Sequence, residues 1–386
     1  MILLNHMSWA SQRLKHFDWW ILASVFLLMA IGCLMLWSMS RGGGTLATGG
    51  DPLIFQRFSR QMLYSLGAVA IIVVGAAFID MRTLEQWSMP AFIVSIILLG
   101  AVLLIGSVVR GSKGWFVLGV ASLQPVEFAK IGFVLFFASI LKRWARRLKE
   151  LRALVVTASA VMVVGILVLL EPDFGSFFIF LLVWVVMLLT IGLKRSHLMS
   201  MLVLTVLASL VLWQVFAPYQ RDRLRVFLNP SLDPLGRGYQ IRQAIIAVGS
   251  GGVFGKGLGA GSQSQLQFLP ERQTDFLYAV IAEELGFVGA LLVLILWGII
   301  LKRMLYWSSV VEDDFALFSL IGFTILFFVE VIITVGMNIG LFPITGLALP
   351  LVSYGGSSMI ATAFALMIVQ SIIVESTRSG WARKYQ

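Results

Sequence analysis

Runs of about 20 apolar residues, near 19–39, 63–79, 88–107, 123–141, 153–170, 174–192, 198–216, 276–301, 315–340 and 348–373, set the rhythm of this chain. Each has the length a helix needs to cross the hydrocarbon core of a bilayer. Most are separated by short segments carrying Arg, Lys, Pro or Gly. The pattern predicts an all-α polytopic membrane protein with ten transmembrane helices in a single membrane domain over 1–386. One separation is different. Between the seventh and eighth runs, residues 217–275 form a polar loop of roughly sixty residues, a length that marks functional loops. It closes in Gln263-Ser-Gln-Leu-Gln-Phe-Leu-Pro-Glu-Arg-Gln-Thr-Asp275, and the next residue begins an apolar run.

Composition excludes a soluble protein. Apolar residues make up 59% of the chain and charged residues 12%, against about 25% charged in soluble domains; the mean hydropathy is +0.94. Trp19 to Met39 reads as a full-length span with no small-residue cleavage pattern behind it. A lone cysteine, Cys33, excludes an intramolecular disulfide. The net charge of +10 does not point to nucleic acid, because the basic residues lie in short loops between apolar runs. Alternate loops differ sharply. One set holds the cluster Lys142, Arg143, Arg146, Arg147, Lys149 and Arg152 with Lys194, Arg195, Lys302 and Arg303, while the other has only Arg41, Arg57, Arg60, Arg110 and Lys113. The positive-inside rule then predicts both termini cytoplasmic and the 217–275 loop extracytoplasmic.

That topology gathers the polar features on one face of the membrane. Glu127 and Lys130, at i, i+3 behind Pro125, share a helix face and pair; ionisable groups inside a span are costly and mark sites as often as packing. Glu171-Pro172-Asp173 forms a turn whose carboxylates suit a hard cation, Mg²⁺ or Mn²⁺, with Asp173 the candidate ligand. Ser353 and Ser357 flank the paired glycines at the start of the last span, which permit either close helix contact or backbone approach to a ligand. The loop contributes Arg221, Arg223, Gln243, Lys256 and Glu271, a net-positive surface suited to a phosphate-bearing lipid, and its Gly249–Gly261 stretch is rich in backbone N–H groups that favour anions. Within it, Tyr239 to Val248 has the pattern of an amphipathic helix lying on the membrane. Asp275 has two readings: with Thr274 it caps the eighth span, and, held ionised there, it acts as a base. Glu283 reads as a packing or supporting group, and Glu330 as a buried carboxylate whose partner is unassigned.

The strings Gln124-Pro-Val-Glu-Phe-Ala-Lys130, Pro172-Asp-Phe-Gly175, Gly249-Ser-Gly-Gly-Val-Phe-Gly-Lys-Gly257, Phe268-Leu-Pro-Glu-Arg-Gln-Thr-Asp-Phe276, Ala282-Glu-Glu-Leu-Gly286 and Leu349-Pro-Leu-Val-Ser-Tyr-Gly-Gly-Ser357 resemble, in order and over nearly the whole chain, the SEDS family of RodA/FtsW/SpoVE glycosyltransferases. The run before Arg272 looks more like RodA, of cell elongation, than FtsW, of division; Gln273 and Glu171 depart from residues common in relatives. The resemblance implies a SEDS-type membrane domain in the bacterial cytoplasmic membrane that polymerises lipid II into β-1,4 glycan strands. It implies Asp275 as the essential catalytic aspartate, Glu127 and Lys130 as a functional intramembrane pair, and no organic cofactor. Implied partners are a class B penicillin-binding protein, elongation-machinery proteins and membrane lipids. A lipid-precursor flippase and a non-enzymatic scaffold are the rival readings from other classes.

Overall fold

Short-range signals fix where the apolar runs become helices. The computed structural model describes residues 13–41, 52–109, 112–119, 121–144, 151–190 and 218–378; the expected span at 198–216 lies outside them. Helices α1 (Trp19–Arg41), α2 (Pro52–Phe78) and α3 (Met81–Ile105) come first, then α4 (Pro125–Trp144), α5 (Leu151–Leu170) and α6 (Phe174–Thr190). Pro52 and Pro125 open α2 and α4 at first-turn positions, where a missing N–H costs nothing. After residue 217 come α7 (Pro218–Leu228), α8 (Arg237–Ser250), the one-turn α9 (Ser262–Gln265), α10 (Leu277–Val310), α11 (Asp314–Asn338) and α12 (Gly356–Arg378). Asp313 caps α11, its Oδ1 accepting from the N–H groups of Phe315 and Ala316 at 2.9 and 3.1 Å.

Six of the described helices are long and apolar enough to cross a membrane: α1, α2, α3, α10, α11 and α12. Burial ranks them. The most apolar stretch of α12 is 83% buried and that of α11 67%, against 28% for α2 and α3. The last two helices are therefore the centre of the bundle, with α4 packed on α11, α10 on α11 and α1, and α2 on α12.

Two expectations need correction. The fold is not purely α-helical: β1 (Ser107–Val109), β2 (Ser112–Leu118) and β3 (Ala121–Leu123) form an antiparallel sheet in the order β1-β2-β3, with Ser107 opposite Trp115 and Phe116 opposite Leu123. The hydrophobic pattern leaves the segment a plain connection because its strands are far shorter than the flanking spans. The second correction concerns residues 218–275, which are folded, carrying α7, α8 and α9. Helix α8 does not simply lie on a membrane. It buries Ile241, Ala244 and Ala247 and packs on α10 and α11, leaving Ile245 and Ile246 exposed.

Helix α10 breaks at Gly286, where φ is 71° and ψ −166°, a region that only glycine enters at low cost. The glycine-rich segment before α9 closes on that break: the N–H groups of Phe287 and Val288 donate to the carbonyls of Gly252 and Val253 at 2.9 and 3.1 Å, and those of Lys256 and Gly257 donate to Glu283 and Glu284 at 3.0 Å each. Backbone groups freed by the break are thus satisfied by the loop.

Candidate active site

The turn 271–276 delivers Asp275 to the position just ahead of α10, where neighbouring residues are fastened on several sides. Glu271, at φ 53°, accepts from the Thr274 N–H at 3.1 Å through its carbonyl and from the Thr274 hydroxyl at 3.2 Å through Oε2. Arg57 of α2 donates to Gln273 Oε1. The Tyr354 N–H donates to the Gln273 carbonyl at 2.9 Å, and the Ser353 hydroxyl to the Thr274 carbonyl at 2.6 Å. Asn338, fully buried at the end of α11, holds the Asp275 carbonyl through Nδ2 at 2.9 Å.

The capping expectation changes here. The residue at the N-cap of α10 is Phe276, and Asn338 Oδ1 accepts from the Ala279 N–H at 2.9 Å. A side chain from a neighbouring helix thus meets one of the first-turn donors. Asp275 itself is half-buried, just ahead of the helix N-terminus, and a Cβ on Gly346 would stand 4.0 Å from its Oδ2.

The chain between α11 and α12 is where the distant polar features converge. Gly346 lies beside Asp275, and Thr345 and Leu347 pack on Gly175 at the start of α6. Ser353 accepts from the Leu349 N–H at 3.0 Å, and its carbonyl receives Gln61 Nε2 of α2 at 3.2 Å. The Ser357 hydroxyl donates to the Ser122 carbonyl of β3 at 2.6 Å and accepts from the Gln124 N–H at 3.1 Å. Ser353 and Ser357, expected to face a ligand, are instead fasteners of this junction. Each hydroxyl donates to one backbone carbonyl and accepts from one backbone N–H.

Below the junction, Lys130 Nζ bridges Glu127 Oε1 at 2.8 Å and Glu330 Oε1 of α11 at 2.6 Å. The i, i+3 pair is present, and Glu330 has its partner. Thr362 of α12 lines a small void beside the three. Depth separates this triad from Asp275. Glu330 is eight residues along α11 from Asn338, about 12 Å of helix rise.

Of the loop residues, Arg221 and Arg223 are half-buried on α7, Gln243 is half-buried on α8 and Glu271 is exposed. Gln243 Oε1 is buried without a hydrogen-bond partner among the described residues. Lys256 differs from expectation. It pairs with Glu283 at 2.9 Å, whose carboxylate also accepts from the N–H groups of Gln263 and Ser264 at 2.9 and 3.0 Å. Glu284 accepts from Ser38 of α1 at 2.5 Å, from Gln265 at 2.6 Å and from the Gly259 N–H at 3.2 Å. Both carboxylates are fully buried. The glycine-rich N–H groups, expected to meet an anionic head group, are largely answered by the protein's own carboxylates and carbonyls.

The metal expectation also meets the geometry. Asp173 caps α6, accepting from the Ser176 N–H at 3.0 Å and its hydroxyl at 2.7 Å. Burial, then the Asp173 carboxylate, push the Glu171 carboxyl up to about 8, so it is mostly neutral at neutral pH. Asp173 is thus committed to the α6 cap, and among the described residues no three His, Cys, Asp or Glu side chains converge to hold a cation.

A helical bundle with an ionic triad buried between its central helices, and a half-buried aspartate fixed by three neighbouring elements at its loop-bearing end, defines a multi-pass membrane protein with a polar site facing that end. The chain belongs to the FtsW/RodA/SpoVE family, described as cell cycle proteins, whose profile matches residues 18–378. It is 36% identical over 358 residues to the peptidoglycan glycosyltransferase MrdB of Escherichia coli strain K12, covering 92% of this chain and 93% of that protein. It is 35% identical over 368 residues to the probable peptidoglycan glycosyltransferase FtsW of Trichlorobacter lovleyi, covering 93% and 94%. Its fold matches a chain from the structure of a peptidoglycan synthase complex, studied for coordination of polymerization and crosslinking, with a TM-score of 0.76, 31% identity and coverage of 96% and 99%. It is a multi-pass protein of the bacterial inner membrane.

Proposed function

We propose that this chain is a peptidoglycan glycosyltransferase that polymerises lipid II into β-1,4 glycan strands at the outer face of the cytoplasmic membrane, serving cell elongation. The glycosyltransferase class follows from the relatives; the FtsW likeness is as close as the MrdB likeness, so the elongation role rests on the Gln263–Arg272 motif. In this proposal ten helices cross the membrane, both termini are cytoplasmic and residues 217–275 form the extracytoplasmic part of one domain spanning 1–386.

The single observation that carries the mechanism is the fastening of Asp275. A general base must be held within reach of the proton it takes; Asn338, Ser353 and Tyr354 tie down the backbone that bears this one, and Arg57 holds the neighbouring Gln273 side chain. The donor sugar is α-linked to a lipid pyrophosphate and the product linkage is β, so the displacement inverts. The acceptor's 4-hydroxyl attacks the anomeric carbon, its proton passes to Asp275, and the bond to pyrophosphate breaks. The leaving pyrophosphate is stabilised by fixed cations, for which we assign Arg221 and Arg223, with Gln243 and Glu271 contacting the sugars. Lys130, with its two carboxylates deep in the bundle, orders the helices beneath the site. No step is assigned to a divalent cation or to Asp173. Glycan synthesis unchanged by EDTA is the expected result, and loss of synthesis with rescue by Mg²⁺ or Mn²⁺ would restore that ligand role. The partner we assign is a class B penicillin-binding protein, supported by the similar chain solved within a synthase complex.

Asp275→Asn keeps the shape and removes the base. Purified, it is expected to unfold at the wild-type temperature and to make no polymer from lipid II, a loss of at least about a hundredfold. Near-normal polymer from that variant would sink the role. Transport of lipid II across liposomes without polymer, by the wild-type chain, would favour the flippase.

A further inference from the structure

Residues 344–348, on the way from α11 to α12, belong to no helix or strand, and their backbone is almost unanswered. The Thr345 N–H meets the Met337 sulfur at 3.4 Å, a weak acceptor. The N–H groups of Gly346, Leu347 and Ala348, and the carbonyls of 344–348, have no hydrogen-bond partner among the described residues. Folded chains seldom leave neighbouring backbone groups so. Side chains hold the segment instead: Thr345 and Leu347 pack on Gly175, and Leu347 and Leu349 are buried. It is fixed in place with its hydrogen-bonding groups unused.

The second observation is what the segment borders. Gly346 is exposed. Outside its chain neighbours, a Cβ built on it would meet one described atom within 4 Å, Asp275 Oδ2 at 4.0 Å. Its φ of 79° is reason enough for a glycine. The open space beside a half-buried carboxylate is a separate fact. A ligand reaching Asp275 from this side would lie against bare backbone that offers both N–H and C=O groups. Hydroxyl and amide groups of a sugar, which donate and accept at close spacing, match such a surface. A phosphate does not, because anions want N–H groups without carbonyls among them, and no Lys or Arg lies in 344–348.

We propose that residues 344–348 bind the acceptor sugar through their backbone, and that Gly346 leaves the room through which its 4-hydroxyl reaches Asp275. The proposal deepens the glycosyltransferase reading and rests on it for the identity of the acceptor.

Hydrogen–deuterium exchange on the purified full-length Asp275→Asn chain tests the binding without turnover. Amides in 344–348 are expected to exchange freely alone and about tenfold more slowly with lipid II, since hydrogen-bonded amides are protected. Undecaprenyl pyrophosphate, which lacks the sugars, is expected to leave them free. No slowing by lipid II overturns the proposal. Equal slowing by undecaprenyl pyrophosphate does the same, because the lipid end and not the sugar would then lie there. Kinetics supply the second arm, with Asp275 intact. Gly346→Asn introduces a residue that tolerates positive φ and fills the space. It is expected to melt within about 3 °C of wild type and to lose kcat/KM for lipid II about a hundredfold, as displacement of a reacting group from its base requires. Gly119→Asn, at φ 64° with nothing around an added Cβ, is expected to change neither. Wild-type kcat/KM in Gly346→Asn overturns the proposal, and equal losses in both variants trace the effect to backbone conformation and overturn it too. Protection needs no turnover. If lipid II slows exchange in 344–348 while the wild-type chain makes no polymer, the glycosyltransferase reading falls and the sugar-binding segment stands.

Discussion

Lys130 sets the charge balance of the bundle interior: one ammonium against two carboxylates, all inside the helix packing. Removing one partner of a buried ion pair costs roughly 3–5 kcal/mol, because it leaves uncompensated charge. Lys130→Met is therefore expected to lower the unfolding temperature in detergent markedly, and Lys130→Met with Glu330→Gln to recover a large part of the loss. Equal unfolding of wild type and the single variant would mean that the triad is not a structural centre. The pair Glu127–Lys130 was legible from its spacing alone, since i, i+3 residues must share a face. Glu330 was legible as a buried carboxylate but not as their partner, because nothing local links positions 130 and 330. Asn338 illustrates the same limit. Capping chemistry was sought in Thr274 and Asp275, immediately before the helix, and the structure draws an acceptor from a helix sixty residues away. Sequence neighbourhood identifies which backbone donors need a partner; tertiary packing decides who supplies it.

Elements carry the second lesson, at the break in α10. The density of glycine between 249 and 261 was plain in the sequence, and its reading as an anion cradle was chemically reasonable. In the structure those N–H groups go mainly to backbone carbonyls, including those of Glu283 and Glu284, and the Gly259 N–H goes to the Glu284 carboxylate. The matching signal was Gly286, which lets the helix open where the loop docks. A Cβ at Gly286 would collide with the Gly255 nitrogen and the Val253 carbonyl, and φ of 71° adds backbone strain of order 1–3 kcal/mol. Gly286→Ala is accordingly expected to detach the loop before α9, and trypsin to cut after Lys256 several-fold faster than in wild type, with polymer synthesis falling in parallel. Unchanged cleavage would show that the loop is held independently of the break. The three-stranded sheet escaped the hydrophobic pattern for a different reason. Strands of three to seven residues between 20-residue spans contribute too little periodicity to be separated from a turn.

At the scale of the whole molecule, the apolar rhythm predicted the membrane class and most helix positions, and the charge asymmetry predicts an orientation. The two ends of the bundle differ in kind. One carries the folded 218–276 segment and the Asp275 junction. The other is closed by ion pairs, including Lys142 with Glu85 and Asp313 at 2.9 and 3.0 Å, Arg303 with Asp18 at 2.6 Å, and Arg13 with Asp80 at 2.8 Å. Lys142, Arg143, Lys302 and Arg303 all lie toward this second end, so the positive-inside rule predicts that it faces the cytoplasm. Exposed residues make the orientation testable in a Cys33→Ser background. Ser231→Cys lies in the segment before α8, and Ser309→Cys at the far end of α10. A membrane-impermeant maleimide added to intact spheroplasts is expected to label the first, and the second only after permeabilisation. The reverse pattern would turn the molecule over and put Asp275 on the side where no glycan strand is built, so this one measurement bears on the fold and on the chemistry together.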